Sequence, residues 1–407
     1  MKWVELHCHS AYSFLDGASD PAELAAAAAD HGQEALALTD HDNVCGAMEF
    51  AHACRGLGVR PIHGVELRVE LETPRPGPRV LSRRDPPPLR YGNVLGVGAP
   101  AAAPAGGAVM AHVTLLVESA KGWSNLARLI TKAHEGTRPK EGREPLLPSV
   151  PLEELERHAE GLVCLSGCAR EGAVAGHWER GDPAGAAALG RRLLGAFGRD
   201  RFRVELQRPL WRRDRSRNRW LASLAESLGV PSVATGDAHA HDRSRLALQD
   251  ALVAVRLGAT LDETEGGRRG NLASTLLGPV EATERFRDHP EAVVESARLA
   301  ERLRFDLTRE LGYSYPGAED PSAHRRLAEF CWVRLEQRYP DHGGQRADAE
   351  RRLREELELI RGLRLSGFFL LHHDMLELAR EVAAEVRDPD SARRLLPPGR
   401  GRGSSVS

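Results

Sequence analysis

"VELHCHSAYSFLDG", residues 4–17, places two histidines one residue apart in an apolar run, followed by a Ser/Asp/Gly-containing turn. Residues i and i+2 of a strand share a face, so His7 and His9 point one way and Cys8 the other. Taken alone, an HxH pair is weak evidence, because half-buried strands often carry incidental polar residues. Its meaning depends on what the later strands bring. "LTDHD" sets Asp40 and His41 just past a second apolar run, and "HGVE" carries Glu66 on a third. His112 opens a fourth run, and "LSGC" puts Cys168 just past the fifth. "TGDAH" places Asp237 and His239, again i and i+2, at the end of the seventh.

Seven candidate strands organise the first part of the chain: "WVELHC", "ALALTD", "RPIHGVELRVEL", "AHVTLLVES", "GLVCLSG", "RFRVELQ" and "PSVATGD". Amphipathic segments such as "PAELAAAAADHG", "WSNLARLITKAHEG" and "NRWLASLAESLG" lie between them. This alternation predicts a parallel sheet with crossover helices, and seven units fit a closed α/β barrel. The ligand-type residues then fall mostly at the C-terminal ends of strands, where such barrels gather their chemistry. A Pro/Gly/Ala-rich stretch, 73–108, interrupts the pattern after the third strand and reads as a mobile surface insertion. After about residue 265 the strands stop. "VEATERFRDHPEAVVESARLAERL" and "DAERRLREELELIRGL" are helical, which predicts a barrel domain over 1–265 and a mainly helical region over 266–407.

Composition excludes several classes. The 407 residues are 41 % hydrophobic and 28 % charged, as in an ordinary globular protein. The net charge of −2 carries no nucleic-acid signature, and Arg supplies nearly all the positive charge, as base composition would. No apolar run of about 20 residues exists and the N-terminus lacks an apolar signal core, so no membrane partner is expected. Six cysteines without framework spacing suggest a reducing, cytoplasmic setting.

The motifs together resemble the PHP domain (polymerase and histidinol phosphatase). They are most similar to the copy at the N-terminus of bacterial C-family DNA polymerases, the polymerase III alpha subunits, with a flavour closer to the error-prone paralogue. "HPEAVVESARLAERLRFDL" and "ELELIRGLRLSGFFLLHHDMLELAREV" resemble the segment leading into that family's palm, and "GRGRGSSVS" its Gly-Arg-Gly-Ser motif. The resemblance implies a seven-stranded distorted (β/α) PHP barrel followed by a truncated start of the palm. It implies up to three metal ions held by His7, His9, Asp16, His41, Glu66, His112, Cys168, Asp237 and His239. The implied grouping is His7, His9, Glu66 and Asp237 on one ion, Glu66, His112 and Cys168 on a second, and Asp16, His41 and His239 on a third. Catalysis would centre on His7, His9, Glu66 and Asp237.

Mixed imidazole, carboxylate and thiolate ligands suit Zn²⁺, with Mn²⁺ or Fe²⁺ as alternatives. Ions of this kind make bound water nucleophilic near neutral pH, which suits phosphoester hydrolysis, and the resemblance to these polymerases implies metal-dependent 3′–5′ exonuclease activity on DNA. Gly403 and Ser404 would cradle a nucleotide's phosphates at a helix start. The full polymerase would add Mg²⁺, a primer–template, and a sliding clamp or other replication and repair subunits. The sequence ends at Ser407, inside that motif and before the palm aspartates, so a fragment or truncated product unable to polymerise is expected. Two other readings stay open: a free-standing phosphatase on a small ester such as histidinol phosphate, and a non-catalytic scaffold stabilised by metal.

Other residues have simpler readings. His63 is three residues before Glu66 and faces the opposite way. His31 and His52 suit surface or capping positions, and His241 with Asp242 a helix start. Cys45, Cys54 and Cys331 read as small core residues and Cys164 as a packing residue. "RRDRSRNRW", Arg212–Trp220, reads first as a solvated helix face and second as a contact for single-stranded DNA. "DPD", with Asp388 and Asp390, reads as a loop.

Overall fold

The computed structural model describes residues 2–71, 109–137, 147–169, 171–311, 320–340 and 344–386. Two compact units divide the chain, Met1–Leu311 and Gly312–Ser407. In the first, seven strands form one sheet: β1 Ala35–Leu38, β2 Arg60–Leu71, β3 Val109–Val117, β4 Val150–Pro151, β5 Leu162–Leu165, β6 Phe202–Gln207 and β7 Ser232–Thr235. Their order is β1-β2-β3-β5-β6-β7, with the short β4 paired to β2.

The opening stretch is extended, but it forms bridges instead of a ladder. Glu5 bridges Leu36 and Cys8 bridges Ala238, both in parallel. Ala37 donates its N–H to the Glu5 carbonyl at 2.9 Å, and Thr39 to that of Cys8 at 2.8 Å. On the other side His9 donates to the Ala238 carbonyl at 2.8 Å. The N-terminal segment therefore lies between the two ends of the sheet. The sheet curls round to meet itself there, as the distorted barrel requires.

The expectation of a parallel sheet needs correction, because the sheet is mixed. β2 and β3 pair antiparallel from Gly64↔Leu116 to Leu71↔Val109, and β3 and β5 are also antiparallel. The register closes at Leu71 and Val109, so β3 returns along β2 as the second arm of a long hairpin. This inversion brings His112, near the start of β3, to the rim reached by the C-terminal ends of the other strands. The stretch 73–108 read as an insertion lies outside the described residues.

Two layers pack the sheet. Val65, Leu67 and Val69 of β2 join Leu126, Leu129 and Leu155 of the flanking helices in the largest apolar cluster. At the end away from Leu71 and Val109, Ala35, Ile62, Leu116, Val163 and Val233 pack against Leu299, Ala300 and Leu303. These last residues belong to the helix Pro290–Arg302 and its end. The buried Arg203 Nε on β6 reaches Glu295 Oε1 of the same helix at 2.7 Å. The helix thus seals the end of the curled sheet opposite the rim, and the first compact unit runs on to Leu311.

Three helices, Ala323–Arg338, Gly344–Gly362 and Ser366–Val386, make the described part of the second unit. Ala323, Leu327, Leu357 and Leu370 form its small core. Among the described residues no helix is long and apolar enough to cross a membrane.

The side-chain readings divide. Cys54 and Cys164 are fully buried, whereas Cys45 is exposed, in a turn before the helix Ala47–Gly56, and is no core residue. "RRDRSRNRW" leads into the helix Asp214–Leu228. Arg212, Arg213 and Arg215 are solvated, but Arg217 is buried and paired with Asp214 and Glu179.

His63 faces away from Glu66 into an aromatic cage. Its ring lies 5.9 Å from Trp123, 6.3 Å from Phe305 and 6.4 Å from Phe50, centroid to centroid. Neither ring nitrogen has a hydrogen-bond partner. Burial pushes its pKa down to about 4. The unfolded chain takes up this proton near pH 6.5 and the folded chain does not, so stability falls as pH drops from 6.5 towards 4. Between pH 7.5 and 5.0 the cost from this histidine should be about 2 kcal/mol. Urea denaturation of wild type and His63→Leu at both pH values measures it. Wild type should lose that much more than the variant over the interval, and equal losses would refute the account.

Candidate metal centre

The turn after His9 is built to hold its neighbours still. Ser10 donates its N–H to Asp40 Oδ1 at 2.7 Å, and the Ser13 hydroxyl donates to the same oxygen at 2.7 Å. Ser13 Oγ in turn accepts the His41 N–H at 3.1 Å and stands 3.2 Å from His9 Nδ1. Gly17 is needed because a Cβ there would lie 1.9 Å from the Ser10 carbonyl oxygen. The tight turn carries Asp16 back over the rim. Past β5, Gly167 adopts φ +94°, and a Cβ would lie 2.1 Å from the His112 carbonyl oxygen. Only glycine lets the chain bring Cys168 so close to β3. Past β7, Asp237 takes φ +52°, so the regular strand alternation expected for Asp237 and His239 is broken there.

These elements bring His7, His9, Asp16, His41, Glu66, His112, Cys168, Asp237 and His239 together. Glu66 is the hub. Its Oε2 lies 3.3 Å from His7 Nε2, 3.2 Å from His9 Nε2 and 3.2 Å from His41 Nδ1, and its Oε1 lies 3.1 Å from His112 Nδ1. Asp237 Oδ1 is 3.4 Å from His9 Nε2 and 3.8 Å from His7 Nε2. Asp16 Oδ2 stands 3.0 Å from both His41 Nε2 and His239 Nε2. Among the described residues three groups have ligand atoms within 4.8 Å of one another: His7, His9 and Glu66; Glu66, His112 and Cys168; and His9, His41 and His239. The second has the same members as one expected grouping; the first holds three of an expected four, with Asp237 outside the group but 3.4 Å from His9. In the third, His9 joins His41 and His239, with Asp16 in contact with both of the latter. Gly403 and Ser404 lie outside the described residues.

The hydrogen bonds assign the tautomers. The Ser13 hydroxyl proton goes to Asp40, so Ser13 Oγ accepts from His9 Nδ1–H. His7 Nδ1 faces Glu205 Oε1 at 2.7 Å, and His239 Nδ1–H donates to the Asp237 carbonyl at 3.0 Å. All three imidazoles therefore turn Nε2 towards carboxylate oxygens. His9 Nε2, His112 Nδ1 and Glu66 Oε1 are buried without any hydrogen-bond partner. At His9 and His239 the Nε2 lone pairs face carboxylate lone pairs at 3.0–3.4 Å, which repel unless a cation lies among them. Imidazole, carboxylate and thiolate are the donor set of a Zn²⁺-like ion, so these residues fit a metal.

Charge balance agrees. Burial opposes ionisation of Glu66, yet His112, His41 and His7 hold its pKa well below the usual carboxylate range. Burial also opposes charge on His41, but Glu66 and Asp16 raise it to about 10. For His7, burial is outweighed by Glu205 and Glu66, which hold the imidazolium well above its ordinary range. Burial, then Glu66 and Asp237, pushes the Cys168 thiol well up, and a coordinating ion would reverse that.

Several participants carried no motif. Glu205 on β6 accepts from Gln207 Nε2 at 2.9 Å as well as from His7, and from the Thr235 hydroxyl. Glu205 and Gln207 alternate with Val204 and Leu206, a polar face that could have flagged them. Arg256 Nη1 lies 3.1 Å from Asp16 Oδ1, Gln249 Nε2 3.3 Å from it, and Arg269 Nη1 3.1 Å from Asp237 Oδ2. Nothing in their local sequence marks these three.

The PHP domain model matches residues 5–209, half of the chain. The chain belongs to the PHP family. It is also homologous to bacterial error-prone DNA polymerases. It is 35 % identical over 395 residues to that of Symbiobacterium thermophilum, covering 94 % of this chain and 32 % of that protein. It is 34 % identical over 387 residues to that of Mycobacterium tuberculosis H37Rv, covering 93 % and 32 %. The Pseudomonas paraeruginosa protein is 32 % identical over 392 residues, at 93 % and 31 % coverage. The chain thus spans about a third of the length of these relatives.

Metal loading should displace protons, because His7 and His41 hold theirs through neutral pH. Affinity should then rise with pH, about tenfold per unit for each proton released. Calorimetric titration with Zn²⁺ at pH 7.5 in two buffers of different ionisation enthalpy tests this. Release of at least one proton per chain is expected, and identical heats in both buffers would contradict it.

Proposed function

We propose that this chain is the N-terminal part of a bacterial error-prone DNA polymerase whose PHP barrel hydrolyses phosphodiesters at a DNA 3′ end. The observation that carries the reading is Glu66, one buried carboxylate shared by imidazoles from the N-terminal segment, the β1 end and β3. His7, His9, Glu66 and Asp237 would hold one ion, Glu66, His112 and Cys168 a second, and Asp16, His41 and His239 a third. Zn²⁺ suits the set, with Mn²⁺ or Fe²⁺ as substitutes. Such ions supply Lewis acidity and a water that is nucleophilic near neutral pH.

The chain's own residues do the rest. Glu205 fixes the His7 ring, as carboxylates behind ligating histidines do. Ser13 and Asp40 fix His9 and the His41 backbone. Asp237 is 13 % exposed and His41 26 %, so the site opens to solvent on their side, where a strand end would enter. Arg256 adds positive charge beside Asp16, favouring an anionic backbone.

The proposed hydrolytic domain is 1–265 and the proposed lead-in to the polymerase palm is 266–407, of which the part up to Leu311 packs within the barrel's compact unit. Gly403 and Ser404 are proposed to contact nucleotide phosphate in the full polymerase, with Mg²⁺, a primer–template and clamp or other replication subunits as its partners. A cytoplasmic setting follows from this reading.

A 5′-labelled single-stranded oligonucleotide with Mn²⁺ or Zn²⁺ should be shortened stepwise from its 3′ end. Glu66→Ala should lower the rate by more than about a hundredfold and reduce bound metal, since it removes a ligand and not merely a residue behind one. Cys8→Ala changes a residue packed with Leu24, Phe50 and Cys54 and should keep both. Full activity in Glu66→Ala would remove the site from the reaction. Metal bound without any shortening would leave a structural metal in a non-catalytic barrel.

A further inference from the structure

Arg269 stands outside the nine ligand-type residues yet reaches into their midst. Its loop is pinned on both sides. Arg268 Nη1 meets Asp250 Oδ2 at 2.9 Å, and Asn271 Nδ2 donates to the Pro209 carbonyl at 2.7 Å. The Arg269 guanidinium lies 3.1 Å from Asp237 Oδ2 through Nη1, and 3.9 Å from Asp16 Oδ2 through Nη2. Nη2 also contacts His239 Nε2.

A guanidinium has no acceptor, so this last contact is an N–H donated into the Nε2 lone pair. His239 has no second lone pair to offer, because its Nδ1–H is committed to the Asp237 carbonyl at 3.0 Å. An ion coordinated by His239 needs that same pair of electrons, and needs Asp16 Oδ2 beside it. A guanidinium and a divalent ion within one buried pocket also repel each other strongly. Arg269 holds Asp237 through Oδ2 and leaves Oδ1 facing His7 and His9, whereas at His239 it takes the single available lone pair, so the conflict is sharpest at the third group. Its Nε is buried without a partner, so Nε adds no tie to the present position.

We infer that Arg269 competes with a third metal ion for His239 and Asp16. The centre then holds two ions firmly and admits the third only when the guanidinium swings out. The inference rests on the metal reading above.

The test is Mn²⁺ binding to the chelator-treated chain, with free Mn²⁺ counted by electron paramagnetic resonance and no activity readout. Wild type should bind two ions tightly and a third at least about tenfold more weakly. Arg269→Ala should tighten the third by about tenfold or more, the worth of a charged hydrogen bond at the contested atom. Arg269→Gln, which keeps bulk and loses charge, should move the same way and stands in if the alanine variant does not fold. Two tight ions in every protein, with a third site unchanged or weakened by both substitutions, would overturn the inference and leave the metal reading standing. No bound Mn²⁺ in any of them would overturn both.

Discussion

Burial of the Glu66 carboxylate among four imidazoles is the constraint from which the rest of this structure follows. An ionised carboxylate without compensation is costly in a protein interior. Glu66 is 2 % exposed, and its two oxygens face nitrogen atoms from His7, His9, His41 and His112. Those histidines come from three separate stretches of chain. They meet only if the N-terminal segment closes the curled sheet, the β1 end turns inward at His41, and β3 runs backwards along β2. The unusual features of the fold, a bridging first segment and two antiparallel pairings, are the ones that bring nitrogen to Glu66.

Rigidity is supplied from behind. Glu205, Gln207 and Thr235 form a buried polar layer under His7, while Ser10, Ser13 and Asp40 form another under His9 and His41. At His9 the Ser13 contact sets which ring nitrogen carries the proton and which presents its lone pair. The opposite end of the sheet is apolar and stoppered by the helix Pro290–Arg302. The ligand-type residues thus gather at one rim, and the hydrophobic cluster at the other end, with the buried Arg203–Glu295 pair, fixes the strands that carry them.

Much of this was legible in the sequence because ligand chemistry and strand periodicity leave local marks. His7 and His9 flank Cys8 in a period of two, and Cys8 packs with Leu24, Phe50 and Cys54 as that period requires. His63, three residues from Glu66, lies in an apolar cage on the other face by the same rule. The direction of β3 was not legible, because strand polarity depends on which neighbour a strand pairs with and not on its own residues. Cys45 was misjudged because a small residue ahead of an amphipathic helix looks like core until the turn that exposes it is known. Arg256 and Arg269 left no mark at all. They reach the site from segments after β7, and side-chain reach across tertiary contacts has no periodicity to read.

The charge pattern around Asp16 and Asp237 carries the synthesis one step further. Around Glu66 the positive partners are histidines, which can give up a proton and become ligands. Around Asp16 and Asp237 they include Arg256 and Arg269, which cannot lose their charge at any ordinary pH. The two halves of one centre are therefore neutralised by different means, one by groups that can lose a proton and one in part by groups that cannot. The Arg256 guanidinium beside Asp16 supplies positive charge to this half whether or not an ion is bound. The pocket opens to solvent on the side of Asp237 and His41, so these charges stand beside its mouth.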